Sequence, residues 1–184
     1  MSVSASWNDP DPALLGDLVF DSKVEADFRQ AMRRHAAGVC VLSSGEGEAI
    51  TGMVVTAVTS FSMDPPSLLV CVNDGASVAP LIRQSRRFAV SLLGPDHADV
   101  VETFCRAPSG PERFAKGDWR RDEADAPWLA DAVAHITCEV VAETSFGTHT
   151  ALVGRVRAVR LGPASSSLVF RDGVYGPFGQ TPTA

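Results

Sequence analysis

Residues 50–61 constrain the fold more than any other part of this chain. They read Ile-Thr-Gly-Met-Val-Val-Thr-Ala-Val-Thr-Ser-Phe, and a second apolar run, Leu-Leu-Val-Cys-Val, follows at 68–72. Val, Ile and Thr lose side-chain freedom against the preceding turn of a helix but fit a pleated surface. So many in succession predict extended strand. Asp64-Pro65-Pro66 stops the first run, because proline has no N–H for a ladder and fixes its own φ.

Strands are expected on both sides of this block. Residues 39–43 form an apolar β-rich segment, and Ser44-Gly45-Glu46-Gly47 supplies the turn before residue 50. Residues 88–92 predict another strand. From Ala132 onward Ala134, Ile136, Cys138, Val140 and Ala142 alternate with His135, Thr137, Glu139 and Glu143. Ser145-Phe146-Gly147 turns the chain and residues 150–161 run back. A short strand at 167–170 leads through Asp172-Gly173, a strong hairpin signal, to Val174 and Tyr175.

Three helices punctuate this pattern. Ser22-Lys23-Val24-Glu25 has the capping-box form. After it Val24, Phe28, Ala31, Met32 and His35 fall at helical spacing, predicting an amphipathic helix that ends near Gly38. His35, at the end of the stripe, reads as a packed cap residue. Shorter helices are expected at 76–84 and 97–106. Residues 107–131 hold Pro108, Gly110, Pro111, Gly117 and Pro127 and so read as a long loop, yet with Phe114, Trp119 and Trp128 in it. The pattern is mainly β: a six- to seven-stranded antiparallel β-barrel with covering helices, in one domain at 22–178. Residues 1–21 read as an arm whose Trp7, Leu14 and Leu15 could dock on a partner subunit, and 179–184 as a tail.

Composition removes several classes of function. The 184 residues carry a formal net charge of -6, and the 14 Arg and 2 Lys are scattered singly or in pairs, which disfavours phosphate-backbone binding to nucleic acid. No run approaches the length of a membrane span, and the first twenty residues hold Asp9, Asp11 and Asp17 but no Lys or Arg, unlike a signal peptide. The four cysteines lie more than thirty positions apart, with no Cys-x-x-Cys pair and no Cys/His cluster of metal-ligand spacing. A reduced, cytoplasmic, metal-free protein is expected.

The search for a nucleophile comes back empty. Gly-x-Ser-x-Gly is absent, and Cys138, which a hairpin could bring near His149, shares the apolar face of its strand. The acidic residues are dispersed, so paired carboxylates are not indicated. No Gly-x-Gly-x-x-Gly opens a helix after a strand, which argues against a doubly wound nucleotide fold. The residues alone stop at a soluble β-barrel domain.

Their order goes further. Phe28-Arg29-Gln30-Ala31-Met32-Arg33-Arg34-His35-Ala36-Ala37-Gly38-Val39 runs a helix into the first strand. Thr51-Gly52-Met53-Val54-Val55-Thr56-Ala57 continues through Ser60-Phe61-Ser62-Met63-Asp64-Pro65-Pro66 into the strand at 68–72. Phe146-Gly147-Thr148-His149 is followed by Leu152-Val153-Gly154-Arg155-Val156. With the weaker Arg87-Phe88-Ala89-Val90-Ser91 and Arg113-Phe114-Ala115, these pieces resemble, in order over roughly residues 25–176, the flavin reductase family. Its members adopt the flavin-binding split barrel and are the small NAD(P)H-dependent partners of two-component monooxygenases.

The resemblance implies an NAD(P)H:flavin oxidoreductase. FAD or FMN accepts hydride from NADH or NADPH and passes by diffusion to a separate flavin-dependent monooxygenase, and the protein is a homodimer. Met53, Val54, Val55, Thr56 and Ala57 would then expose backbone to the flavin ring. Thr56, Ser60, Ser62 and Ser77 would offer hydroxyls to the ribityl chain or phosphate, with the phosphate near Asn73–Ser77 at the start of the short helix. Without the resemblance these hydroxyls read as ordinary strand Ser and Thr. Arg113 and Phe114 are candidates to close over the cofactor, or else a surface arginine and a loop anchor. His149 resembles the family histidine near the nicotinamide; Thr148 stands where the family more often has Asp, which bears on how that ring is held and charged. Tyr175 is a candidate for the site, the core or a dimer contact alike. The same fold also serves flavin-binding electron carriers and flavin oxidases that do not use NAD(P)H, the two alternatives to a reductase.

Overall fold

Two strands that follow each other in the chain lie at opposite margins of one sheet. The computed structural model describes residues 21–121, 126–163 and 166–178; nearly all of the expected arm, with Trp7, Leu14 and Leu15, and the tail lie outside them. Seven antiparallel strands run in the order β3 (Ala49–Val55), β2 (Cys40–Glu46), β6 (Arg87–Leu92), β9 (Ala134–Phe146), β10 (His149–Leu161), β5 (Pro66–Asn73) and β4 (Val58–Met63). Laid flat, such a sheet would separate its margins by six strand spacings, about 29 Å. Only Thr56 and Ala57 connect β3 to β4, however, and the step from Val55 to Val58 spans at most about 10 Å. The sheet therefore curls into a barrel whose margins are joined by the chain. The Cys71 amide donates to the Ala57 carbonyl at 3.1 Å, which carries the β4–β5 ladder up to the break at this seam.

The long strand expected at 50–61 is thus two strands, broken at this seam. Propensity does not show the break, because Thr and Val suit either side of it. Around the barrel, α1 (Ser22–Arg34) leads into β1 (Ala37–Gly38), which pairs with β11 (Ser167–Arg171). β11 pairs in turn with β12 (Val174–Phe178) through the Asp172-Gly173 turn, where both residues take positive φ. α2 (Ala79–Ser85) covers one end of the barrel and α3 (Ala98–Arg106) one side. The expected loop at 107–131 contains a 3-10 turn at Gly110–Phe114 and a small ladder of β7 (Trp119–Arg120) with β8 (Trp128–Leu129).

Two cores explain the burial. Leu42, Val70, Val72, Phe88, Val90, Cys138 and Leu152 fill the barrel together with Val78 and Ile82 from the start of α2. Val39, Val41, Leu93, Val100, Val101, Phe104 and Leu129 form the second core, outside the barrel beneath α3. β2 thus buries both faces, which is why residues 39–42 are continuously apolar rather than alternating. The same covering reaches β9: its expected polar face includes His135 and Thr137, and both are buried, the His135 ring stacking on Trp128.

α1 departs from expectation in two ways. Asp21, not Ser22, is its N-cap, the carboxylate accepting from the Lys23 amide at 2.8 Å. Its apolar stripe is left largely uncovered by the other described residues: Val24, Phe28 and Met32 are 63%, 64% and 48% exposed, and His35, the C-cap, is exposed as well. The helix is held at its end, where the Asp172 amide donates to the Arg33 carbonyl at 2.7 Å and Arg33 meets the Asp172 carboxylate at 3.2 Å. The second helix also begins later than expected, at Ala79 rather than Ala76, without a side-chain cap.

Candidate functional site

The barrel seam opens into a cavity of about 440 Å³. Thr56 and Ala57 form one wall, Leu69 and Cys71 of β5 another, and Met32 and His35 from the end of α1 with Phe170 of β11 complete it. Small or β-branched side chains at the break leave backbone accessible, as a flat polar-edged ring requires. A larger open depression of about 830 Å³ lies on the charged side of α1 between Arg29, Arg33 and Asp172, and no residue of the seven-stranded sheet contributes to it.

Register places His149 on the same face as the seam cavity. His149 lies opposite Asn73, Ala151 opposite Cys71 and Val153 opposite Leu69, while Leu69 also lies opposite Thr59 of β4. Directly opposed residues, and residues two apart, share a face. Val70, Val72 and Leu152 between them point into the barrel core. Leu69, Cys71, Asn73, Ala151 and His149 consequently present one outer surface, and Asn73 is two residues, about 7 Å, beyond the Cys71 wall. The His149 side chain is exposed, with Nδ1 3.0 Å from the Thr148 hydroxyl.

The other expected site residues separate into three groups. Thr56 and Ala57 line the cavity. Met53 packs against the barrel core, Val54 against the second core, and Val55 is buried, so what these three can present outward is backbone. Ser60 and Ser62 lie farther along β4, away from the cavity walls, and the Ser62 hydroxyl bonds the backbone of Asp64 at 3.1 Å. Ser77 is exposed in the turn between β5 and α2, its hydroxyl 3.3 Å from that of Thr51. This turn precedes a helix of only seven residues and is not its N-terminus.

Arg113 and Phe114 have structural partners. The Arg113 guanidinium donates to the Ala107 carbonyl at 3.3 Å, the Pro108 carbonyl at 2.9 Å and the Gly52 carbonyl, clamping the loop to β3 one residue before Met53. Phe114 stacks edge-on with Phe104 at 5.2 Å and Trp119 at 4.9 Å in the second core. Of the two readings open at these positions, the loop anchor is the one with contacts. Tyr175 lies directly opposite Phe170 in the β11–β12 pair, its ring 5.0 Å from the Phe170 ring that lines the cavity, so it stands beside that wall on the same face of the sheet. Leu69, Cys71 and Phe170 were not singled out from sequence, and Asp74 reads there only as a charge opposing an anion near Asn73–Ser77. Period-two reading of β5 against β10 marks Leu69 and Cys71 as outward-facing.

Burial pushes the Cys40 and Cys138 thiols up to about 12, so neither is a nucleophile at neutral pH. Among the described residues no group of three His, Cys, Asp or Glu could hold a metal ion, and no helix is long and apolar enough to cross a membrane.

A model of the flavin reductase like domain family matches residues 32–179, most of the chain. The chain belongs to the flavin reductase-like family. Within it, the sequence is 36% identical over 151 residues to an NADH-dependent FMN reductase, RutF of Variovorax paradoxus, covering 82% of this chain and 84% of that one. It is also 36% identical over 154 residues to the reductase component of an FADH(2)-dependent resorcinol hydroxylase from a Rhizobium species, covering 83% and 86%. The structure of the Streptomyces globisporus NADH:FAD oxidoreductase SgcE6, solved with NAD and FAD fragments, superposes with a TM-score of 0.77 at 30% identity, covering 89% of this chain and 97% of that one. The seven-stranded barrel is the split barrel of these flavin reductases.

Proposed function

We propose that this chain is an NAD(P)H-dependent flavin reductase, the reductase component of a two-component monooxygenase system. The observation that carries the reading is the seam cavity walled by Thr56 and Ala57 with His149 on the same outer face, in a chain of this family. The printed functions of the relatives support it: one is an NADH-dependent FMN reductase, another serves a hydroxylase, and a third is an NADH:FAD oxidoreductase.

The residues present fit a flavin. A flat ring with donors and acceptors along one edge needs a slot with backbone at its rim, and Thr56 and Ala57 supply that rim beside Leu69 and Cys71 of β5. When bound, the flavin supplies at N5 the acceptor for hydride from nicotinamide C4. The chain's own work is alignment and shielding, worth several orders of magnitude when reacting atoms are held near contact. Thr56, Ala57 and the backbone of Met53, Val54 and Val55 hold the ring edge; Leu69 and Cys71 give the slot an apolar wall. Ser77, in the turn beyond the end of β5, would meet the phosphate. His149 binds and orients the nicotinamide end of the pyridine nucleotide. No residue has to carry a proton, consistent with the absence of an activated nucleophile.

Two finer statements belong to the same reading. The exposed stripe of Val24, Phe28 and Met32 on α1 is covered by a second copy in a homodimer, which also shields the cavity that Met32 lines. Reduced flavin leaves by diffusion to a separate monooxygenase, since the slot is open to solvent. The four cysteines are free, two of them buried, which supports a reducing compartment such as the cytoplasm. The test is steady-state oxidation of NADH and NADPH with FMN and with FAD. Flavin-dependent oxidation, faster with NADH, supports the reading; oxidation no faster than without protein overturns it.

A further inference from the structure

We propose that Asp74 is the residue that positions His149. This inference rests on the role given to His149 above and deepens it. His149 stands just past the two-residue loop of an exposed hairpin, after Gly147 and Thr148, and such tips are ordinarily the first part of a sheet to fray. Here the tip is gripped on both sides of the histidine by one residue from the turn after β5. The Asp74 amide donates to the Thr148 carbonyl at 3.0 Å. The Asp74 carboxylate accepts from the Thr150 hydroxyl at 2.7 Å. Thr148 and Thr150 are the immediate neighbours of His149, so its backbone is fixed before and after by the same residue.

The grip extends into a directed chain. A carboxylate can only accept, so the Thr150 proton points to Asp74, and the Ser145 hydroxyl, 2.8 Å from Thr150 Oγ1, must donate to it. Ser145 belongs to β9, Thr150 to β10 and Asp74 to the turn after β5, so three consecutive segments of the barrel rim are tied together. Arg83 of α2 meets the same carboxylate oxygen at 2.5 Å and balances its charge. Thr150 is buried, which shields its bond from water. The Thr148 hydroxyl, beside His149 Nδ1, then turns the ring on a backbone that is already held.

The test compares Asp74→Ala, His149→Ala, the double variant and Asp74→Asn. Readouts are the KM for NADH, the rate of flavin reduction in a single turnover, flavin affinity and the thermal midpoint. Asp74→Ala is expected to raise the NADH KM or slow reduction about tenfold, the scale on which small misplacements act, with flavin affinity little changed. Asp74→Asn restores most of the loss, because its amide oxygen still accepts from Thr150. In the His149→Ala background Asp74→Ala adds nothing, since there is no ring left to place. A merely structural Asp74 would instead give losses that multiply in the double variant, and that result overturns the proposal. So does an unimpaired Asp74→Ala beside an impaired His149→Ala. An unimpaired His149→Ala removes the role of His149 itself, and the proposal with it. Should Asp74→Ala not fold, Thr150→Val, which keeps the Arg83 pair, carries the same comparison.

Discussion

His149 and Gly154 lie on one strand and answer to different demands. The His149 side chain is exposed and touches neither core, so replacing it should not disturb folding. His149→Ala is expected to raise the NADH KM and slow flavin reduction while leaving flavin affinity and the thermal midpoint in place; unchanged single-turnover reduction would remove His149 from the site. Gly154 is the opposite case. A Cβ there would stand 2.3 Å from Phe88 Cζ and 2.8 Å from Cys138 Cβ, inside the barrel core. Gly154→Ala should cost about 1–3 kcal/mol, the range for overpacking, read from urea unfolding. His149 was picked out in the sequence by the motif it belongs to, and the variant tests its role. Arg113 illustrates the limit. Its place in a loop suits a cofactor clamp as well as a loop anchor, and the three carbonyls that its guanidinium meets are visible only in the structure.

At the scale of elements, the strands were legible and their interruption was not. β-branched residues declare extended backbone, and period-two alternation declares a face. Neither reports that β3 and β4 lie on opposite margins, which follows from pairings among five other strands. The same holds for β9, whose polar face looks solvated in sequence but is covered at His135 by Trp128. α1 was read correctly as amphipathic, yet its apolar stripe faces outward from this chain. Phe28→Asp is therefore expected to leave the monomer folded and shift the protein from dimer to monomer in sedimentation equilibrium. A monomeric parent, or a dimer indifferent to this change, would assign the stripe another occupant.

The whole molecule carries its stability in two cores joined by β2, and both Cys40 and Cys138 lie in the barrel core. Burial raises these thiols from 9.0 to about 12. The unfolded chain releases the two protons near the lower value and the folded chain holds them to the higher, so native protein binds more protons in between. Their contribution is complete below about pH 9 and is lost as pH climbs toward about 12. Urea midpoints should accordingly hold level up to that onset and then fall; a level midpoint throughout would mean the thiols are not sealed.

The same closure that seals the core creates the slot at Thr56 and Ala57, so barrel and proposed activity share one cause. Its most direct test is anaerobic. The purified protein is mixed with FMN or FAD and with NADH or NADPH, and loss of the oxidised flavin's visible absorbance is followed. Bleaching well above the protein-free rate is the predicted result. Flavin that binds but stays yellow with both pyridine nucleotides, or that does not bind at all, would contradict it.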